Sequence, residues 1–139
     1  MKEEISYGII PLQKRDNNWY VFLVHHRDGN HWGFPKGKPR DGESHQQSAV
    51  RELREETNLK VIFFLQEEPL SEAYIYTRNN EKTNKTVHYF LAMVEGTISI
   101  QKEEVLEGDF FSFEQAKKTI THAESQKVLA EVLAIVRAL

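Results

Sequence analysis

Between Gly37 and Leu59 the chain reads GKPRDGESHQQSAVRELREETNL, and no other stretch constrains fold and chemistry as much. Ser44 and Gln47 form a Ser-x-x-Gln capping box, which predicts a helix beginning near Ser44. Asn58 adopts left-handed geometry readily and marks its end. Ala49, Val50, Leu53 and Thr57 then share the inward face. Glu52, Glu55 and Glu56 fall at i, i+3 and i+4 on a neighbouring face. Like charges at that spacing repel by roughly 0.2–0.5 kcal/mol per pair. Glu55 and Glu56 also occupy the last turn, where the helix dipole disfavours anions. Two local penalties at one spot suggest a cation between them, and carboxylate with phosphate oxygens is the hard-ligand set for Mg2+ or Mn2+. A solvated acidic face, with Arg51 paired to Glu55, is the plain alternative. The preceding loop tips the balance. Pro35-Lys36-Gly37-Lys38-Pro39-Arg40 is basic and glycine-containing, so positive charge and backbone access adjoin the carboxylates.

A chain of 139 residues fits a single domain, 1–139, with a sizeable core. Its net charge of -3 argues against broad attraction to nucleic acid or membrane, so an anionic substrate needs a local basic patch. The absence of cysteine excludes disulfides and thiolate chemistry. No apolar run is long enough for a signal peptide or a membrane span, and a cytoplasmic location is the expectation.

Ile5 to Leu12 reads as a strand weakened at its end by Pro11, and Lys14 to Asn18 as a turn. Trp19 to Val24 reads as a strand buried on both faces. His25 to His31 is a turn-rich loop; the plain reading is polar surface, the functional one phosphate or nucleobase contact. Strands follow at Lys60 to Leu65, Ala73 to Thr77 and Thr86 to Val94, with Arg78 to Lys85 as a polar connection. Tyr74 and Tyr76 share a strand face. A short edge strand is expected at Thr97 to Ile100, an acidic loop at Gln101 to Asp109 and a last strand at Phe110 to Phe113. Capping boxes at Ser112-x-x-Gln115 and Thr121-x-x-Glu124 open two further helices. The second carries Val128, Leu129, Val132, Leu133 and Val136 as one apolar stripe, read as core. Strands interspersed with helices in this order predict an α+β fold, a mixed sheet covered by helices.

The Gly37–Leu59 stretch resembles the Nudix box: Gly, five residues, Glu, seven residues, Arg-Glu-aliphatic-x-Glu-Glu-x-Gly-aliphatic. The match is at Gly37, Glu43, Arg51, Glu52, Leu53, Glu55, Glu56 and Leu59; Asn58 replaces the usual glycine. The resemblance implies a mixed sheet sandwiched between helices (α/β/α) with the box as loop-helix-loop. It implies a Mg2+ (or Mn2+) site held by Glu52 and Glu56, with Glu55 third and the Gly37 carbonyl. Arg51 and Glu43 would be a supporting pair. The proton acceptor would be Glu104, also a metal ligand, with Glu103, Glu107 and Glu52 as rivals. The His31-Trp32 approach to Pro35-Lys36-Gly37 and the run Lys85-Thr86-Val87-x-Tyr89 look like the asymmetrical diadenosine tetraphosphate hydrolases. That likeness implies phosphate contacts at Lys85 and base stacking at Tyr89. Lys36, Lys38 and Arg40 could line the phosphate chain, His31 could touch phosphate or base, and Tyr74, Tyr76 or Phe110 could stack adenine. The implied partner is a dinucleoside polyphosphate or other nucleotide, taken up by a monomer or weak homodimer with no stable nucleic-acid complex. Alternatives are an RNA 5'-pyrophosphohydrolase, a hydrolase of ADP-ribose, nucleoside triphosphates or inositol pyrophosphates, and a non-catalytic binding module of the same fold.

Overall fold

Residues Val21 to Val24 are all buried, and they divide by parity: Val21 and Leu23 enter one core, Phe22 and Val24 the other. A strand that alternates between two apolar layers must lie in a sheet covered on both faces. The computed structural model, which describes residues 1–139, shows that arrangement. Eight strands form one mixed sheet. They are β1 (Lys2–Arg15), β2 (Asn18–His26), β3 (His31–Gly33), β4 (Lys36–Gly37), β5 (Lys60–Phe64), β6 (Leu70–Arg78), β7 (Glu81–Glu95) and β8 (Val105–Ser112). The helices are α1 (His45–Thr57), α2 (Phe113–Thr119) and α3 (Ala123–Arg137). β1 and β7 run parallel from the pair Lys2/Thr83 to the pair Leu12/Met93, and every other pairing is antiparallel.

α1 covers one face through Ala49 and Leu53, which meet Tyr7, Ile9, Phe22, Val24, Phe90 and Ala92. α2 and α3 cover the other through Ala116, Ile120, Val128, Leu129, Val132 and Val136. The α3 stripe is therefore core, and each such side chain contributes about 1.5–3 kcal/mol by leaving water. The fold is the expected α/β/α sandwich. No helix is long and apolar enough to cross a membrane.

Several boundaries differ from the sequence reading, for local reasons. β1 runs through Pro11 instead of ending there. Its antiparallel ladder to β4 ends at Gly8 and its ladder to β2 starts at Leu12, so Pro11 falls in the gap, where no N–H is required. Arg78 to Lys85 is no loose connection. It is a tight hairpin whose turn residues, Asn79 and Asn80, both have positive φ (52° and 64°), the twist that suits two-residue hairpins. Thr97 to Ile100 forms no strand. It runs past the end of α1 and satisfies the helix's last carbonyls, Ser99 N donating to Thr57 O and Gln101 N to Glu56 O. β8 begins at Val105, inside the expected acidic loop, because Val105, fully buried, anchors it under β2. Ser112 caps α2 as expected, whereas α3 is preceded by His122 with no side-chain cap, and Thr121 Oγ1 instead accepts from Trp32 N at 2.8 Å.

A candidate metal centre in a charged cleft

The N-terminus of α1 is built as the sequence predicts. Ser44 Oγ accepts from Gln47 N, and Gln47 Oε1 accepts from Ser44 N at 2.8 Å. Just before it, Glu43 accepts from Arg40 N and Ser48 Oγ. Arg51, one face over, spreads its guanidinium across everything nearby. Nε donates to Glu43 Oε2 at 2.8 Å, Nη1 to Glu52 Oε1 at 2.8 Å and to Glu55 Oε1 at 3.0 Å, and Nη2 to the Lys38 carbonyl at 2.9 Å. One side chain thus fixes the loop before the helix to the helix itself. Hydrogen bonding from Arg51 holds the Glu43 carboxyl down at about 2.

Glu52 and Glu56 lie one turn apart and point under the loop. Glu56 is 1% exposed and Glu52 9%. Carboxylate oxygens of Glu52, Glu56 and Glu104 all lie within 4.8 Å of one another. Two oxygens on opposite sides of one Mg2+ stand roughly twice the ~2.0–2.1 Å ligand distance apart, so this spacing suits a shared cation. A second observation fits: Glu56 Oε1 is buried with no hydrogen-bond partner. An unpaired buried carboxylate is costly, and a bound cation removes that cost. Burial raises the Glu56 carboxyl well above the usual range, helped by Glu52 and opposed by Lys36. Burial also raises Glu52, against the pull of Arg51.

Glu55 stands apart from this group. It is exposed, and its Oε1 pairs with Arg51 and with Arg40 Nη2 at 3.2 Å. At 100° per residue it projects to the solvent side of Glu56 and Glu52. The third carboxylate comes instead from the turn before β8, where Glu104 N donates to Gln101 O and Glu104 O accepts from Arg27 N at 2.9 Å. Glu103 also lines the cleft, while Glu107 pairs along β8 with His25.

Gly37 explains itself geometrically. A Cβ there would fall on the Glu52 carboxyl group, so any other residue displaces that carboxylate. Gly37 and Lys36 form β4, held against Tyr7 and Gly8 of β1, which fixes the loop beside the acidic group.

From the carboxylates a cleft of about 1000 Å³ opens across the sheet. Lys36, Lys38, Lys85, His31 and Tyr76 line it. Lys36 makes no ion pair. Lys85 donates to Ser6 Oγ at 2.5 Å and lies 3.6 Å from Glu4 Oε1; burial, then Lys36, lowers its ammonium to about 8. His31 stacks on His26 (4.8 Å) and meets His122 (4.9 Å) at a tilt of 44°. Burial holds His31 at about 4 and His26 at about 3, so both rings are neutral. Tyr89 does not belong to the cleft wall. It is 1% exposed and packs edge-on against Phe34: it shares a face of β7 with Lys85 but lies farther along the strand, in the core with Val87 and Leu91. Base stacking by Tyr89 is thereby corrected. Phe110 likewise packs on Phe22 and not on the cleft, and Arg40 is taken by Glu55. The sequence reading missed Glu4, Ser6 and His122. Glu4 and Ser6 share a parity along β1, a signal available had that strand been started at Lys2.

The comparisons agree with this geometry. The family model described as "NUDIX domain" matches residues 2–132. A curated protein of Mycobacterium tuberculosis bearing the name mutator protein MutT4 is 28% identical over 102 residues, covering 73% of this chain. This chain spans only 40% of that protein's length. A Caenorhabditis elegans Ap4A hydrolase, solved as a binary complex, superposes with a TM-score of 0.74 at 20% identity, covering 98% of this chain and 99% of that one. The NUDIX domain of Shewanella oneidensis NrtR, solved with ADP ribose, gives 0.76 at 14% identity, covering 98% and 90%. At these identities the likeness speaks for the fold alone. With a family match over nearly its whole length and the box residues assembled around one acidic cluster, the chain belongs to the NUDIX domain family.

Proposed function

We propose that this protein is a divalent-metal-dependent hydrolase of nucleoside polyphosphate linkages. The observation that carries the reading is the placement of Glu52, Glu56 and Glu104 at one end of a cleft whose walls carry Lys36 and Lys85. Bound Mg2+ would supply charge neutralisation for the phosphate oxygens and lower the pKa of a coordinated water. Glu52 and Glu56 would hold it, with Glu104 and the Gly37 carbonyl as further ligands. Arg51 orients Glu52 and opposes the upward pull of burial on its carboxyl. Lys36, free of any ion pair, binds phosphate, and His31, neutral and packed between two other rings, offers a ring nitrogen without adding charge. Glu104, exposed on its turn, would accept the proton of the attacking water, with Glu52 as its rival.

For the substrate we infer diadenosine tetraphosphate, cleaved asymmetrically to ATP and AMP. The fold shared with the Caenorhabditis elegans Ap4A hydrolase supports this, as does the long charged cleft beside the carboxylates. The burial of Tyr89 removes one of the two residues of the Lys85-to-Tyr89 run, so Tyr76 or Tyr74 would provide the base contact. The test is incubation of the purified protein and Mg2+ with diadenosine tetraphosphate, ADP-ribose, nucleoside triphosphates and triphosphorylated RNA, products resolved by chromatography. ATP plus AMP is the expected result. Two ADP, or faster turnover of another member of the panel, overturns the substrate. No turnover of any member overturns the hydrolase.

A further inference from the structure

Away from the candidate metal ligands, one acidic side chain of the cleft lies between two of its lysines. Glu4 lies on β1 in register with Lys85 of β7, and three groups converge on its carboxylate within the cleft. Tyr76 Oη donates to Oε1 at 2.7 Å, Lys85 Nζ approaches Oε1 to 3.6 Å, and Lys38 Nζ approaches Oε2 to 4.0 Å. Lys2 Nζ stands 3.9 Å from Oε2 on the outer side. The Glu4 side chain is only 14% exposed, so this is a held carboxylate and not a surface one. Of the cleft lysines, Lys38 and Lys85 are thus already matched to an anion, while Lys36 is not.

The position along the sheet matters. Tyr7 pairs with Gly37, and Gly37 abuts Glu52. Glu4 precedes Tyr7 by three residues, about 10 Å along the strand at ~3.3 Å per residue. Lys36, opposite Gly8, stands on the other side of Tyr7, whereas a phosphate chain anchored at the carboxylate group and running along β1 toward its start reaches Glu4. A phosphate arriving there is repelled at short range in a partly desolvated cleft. A hydroxyl or N–H donor is accepted.

We propose that Glu4 is a specificity-determining residue: it stands in for an anion between Lys38 and Lys85, rejects phosphate at that point of the cleft, and leaves the position to a donor-bearing sugar or base. The inference rests on the phosphate-site reading above and deepens it. The cleft takes a short phosphate run in the direction of β1.

The test uses the full chain with Mg2+ and two inorganic probes, pyrophosphate and tripolyphosphate, measured by calorimetry. Glu4→Gln keeps an acceptor for Tyr76 and removes the charge. The expected result is that the ratio of tripolyphosphate to pyrophosphate affinity rises about tenfold, a 1.4 kcal/mol change, over wild type. Glu4→Asp, which keeps the charge, should retain the wild-type ratio. A role in stability alone would weaken both probes alike in both variants and leave the ratio unchanged, which overturns the proposal. A rise in Glu4→Asp equal to that in Glu4→Gln overturns it also, as does failure of both probes to bind. Because the readout is binding, a wild-type protein that hydrolyses nothing defeats the hydrolase reading while the ratio still decides the role of Glu4.

Discussion

Arg51 Nε donates to Glu43 Oε2 at 2.8 Å while its Nη1 donates to Glu52 Oε1 at the same distance. The guanidinium therefore couples a residue that fixes the entry to α1 with one that borders the candidate metal site. Arg51→Ala should displace Glu52 and release the Lys38 carbonyl together. Displacements of about 1 Å cost on the order of 10²-fold in rate, and kcat should fall by that scale. Arg51→Lys cannot reproduce the fork and should recover little. Steady-state kinetics at saturating Mg2+ check this, and a Lys variant with near wild-type kcat would contradict it.

Glu56 is buried, unpaired at Oε1 and raised by its surroundings. A carboxyl whose folded pKa is raised contributes stability below the ordinary glutamate range and loses it as pH rises toward the folded value. Metal-free protein should accordingly weaken between mildly acidic and alkaline pH, and Mg2+ should restore it. Glu56→Gln should flatten that pH dependence, raise the melting temperature of the chelated protein at pH 8 and abolish the metal-dependent gain. Its loss of metal affinity should exceed the ~10–100-fold that even outer-shell partners cost. Thermal melts with and without chelator read all of these.

Arg27 ties two loops together. Its Nη2 donates to the Lys102 carbonyl at 2.9 Å and its backbone N to the Glu104 carbonyl at 2.9 Å. Arg27→Ala removes only the side-chain tie to the turn that carries Glu104. The expectation is a fall in kcat of roughly 10-fold, the lower end of what supporting partners cost, with KM little changed. A rise in KM alone would assign Arg27 to substrate binding instead.

His26 and His31 are held neutral mainly by burial, at about 3 and about 4. His26 Nε2 is 3.0 Å from the Phe34 carbonyl, which fixes the proton on that nitrogen. Groups with depressed folded values contribute stability above the ordinary histidine range and lose it as pH falls through that range toward the folded values. In Glu56→Gln, where that carboxyl no longer titrates, denaturant midpoints should decline from pH 7 to pH 4.5, and the His26 ring should show no NMR titration above about pH 4. A His26 midpoint near 6.5, its unperturbed value, would sink this account.

What the sequence by itself determined is everything set by short-range periodicity. Ser44 and Gln47 had to cap a helix, Asn58 had to end it, and Glu52 and Glu56 had to project from one side of it, because 3.6 residues per turn is a local property. The parity of Val21 to Val24 likewise required a sheet covered twice. What only the tertiary structure decided is which side chains meet. Glu104 joins Glu52 and Glu56, and Glu55 does not, because the chain beyond β7 docks on the end of α1 through Gln101 N and Glu56 O, residues 45 apart in sequence. Tyr89 and Tyr76 share one face of the sheet; Tyr89 is buried because it sits mid-strand in the core with Phe34 and Val87, whereas Tyr76 lies near the β6–β7 hairpin. Glu4 reaches Lys85 only through a parallel register spanning more than half the chain. Register and docking are long-range choices settled by the packing of the whole core, and no window of sequence contains them.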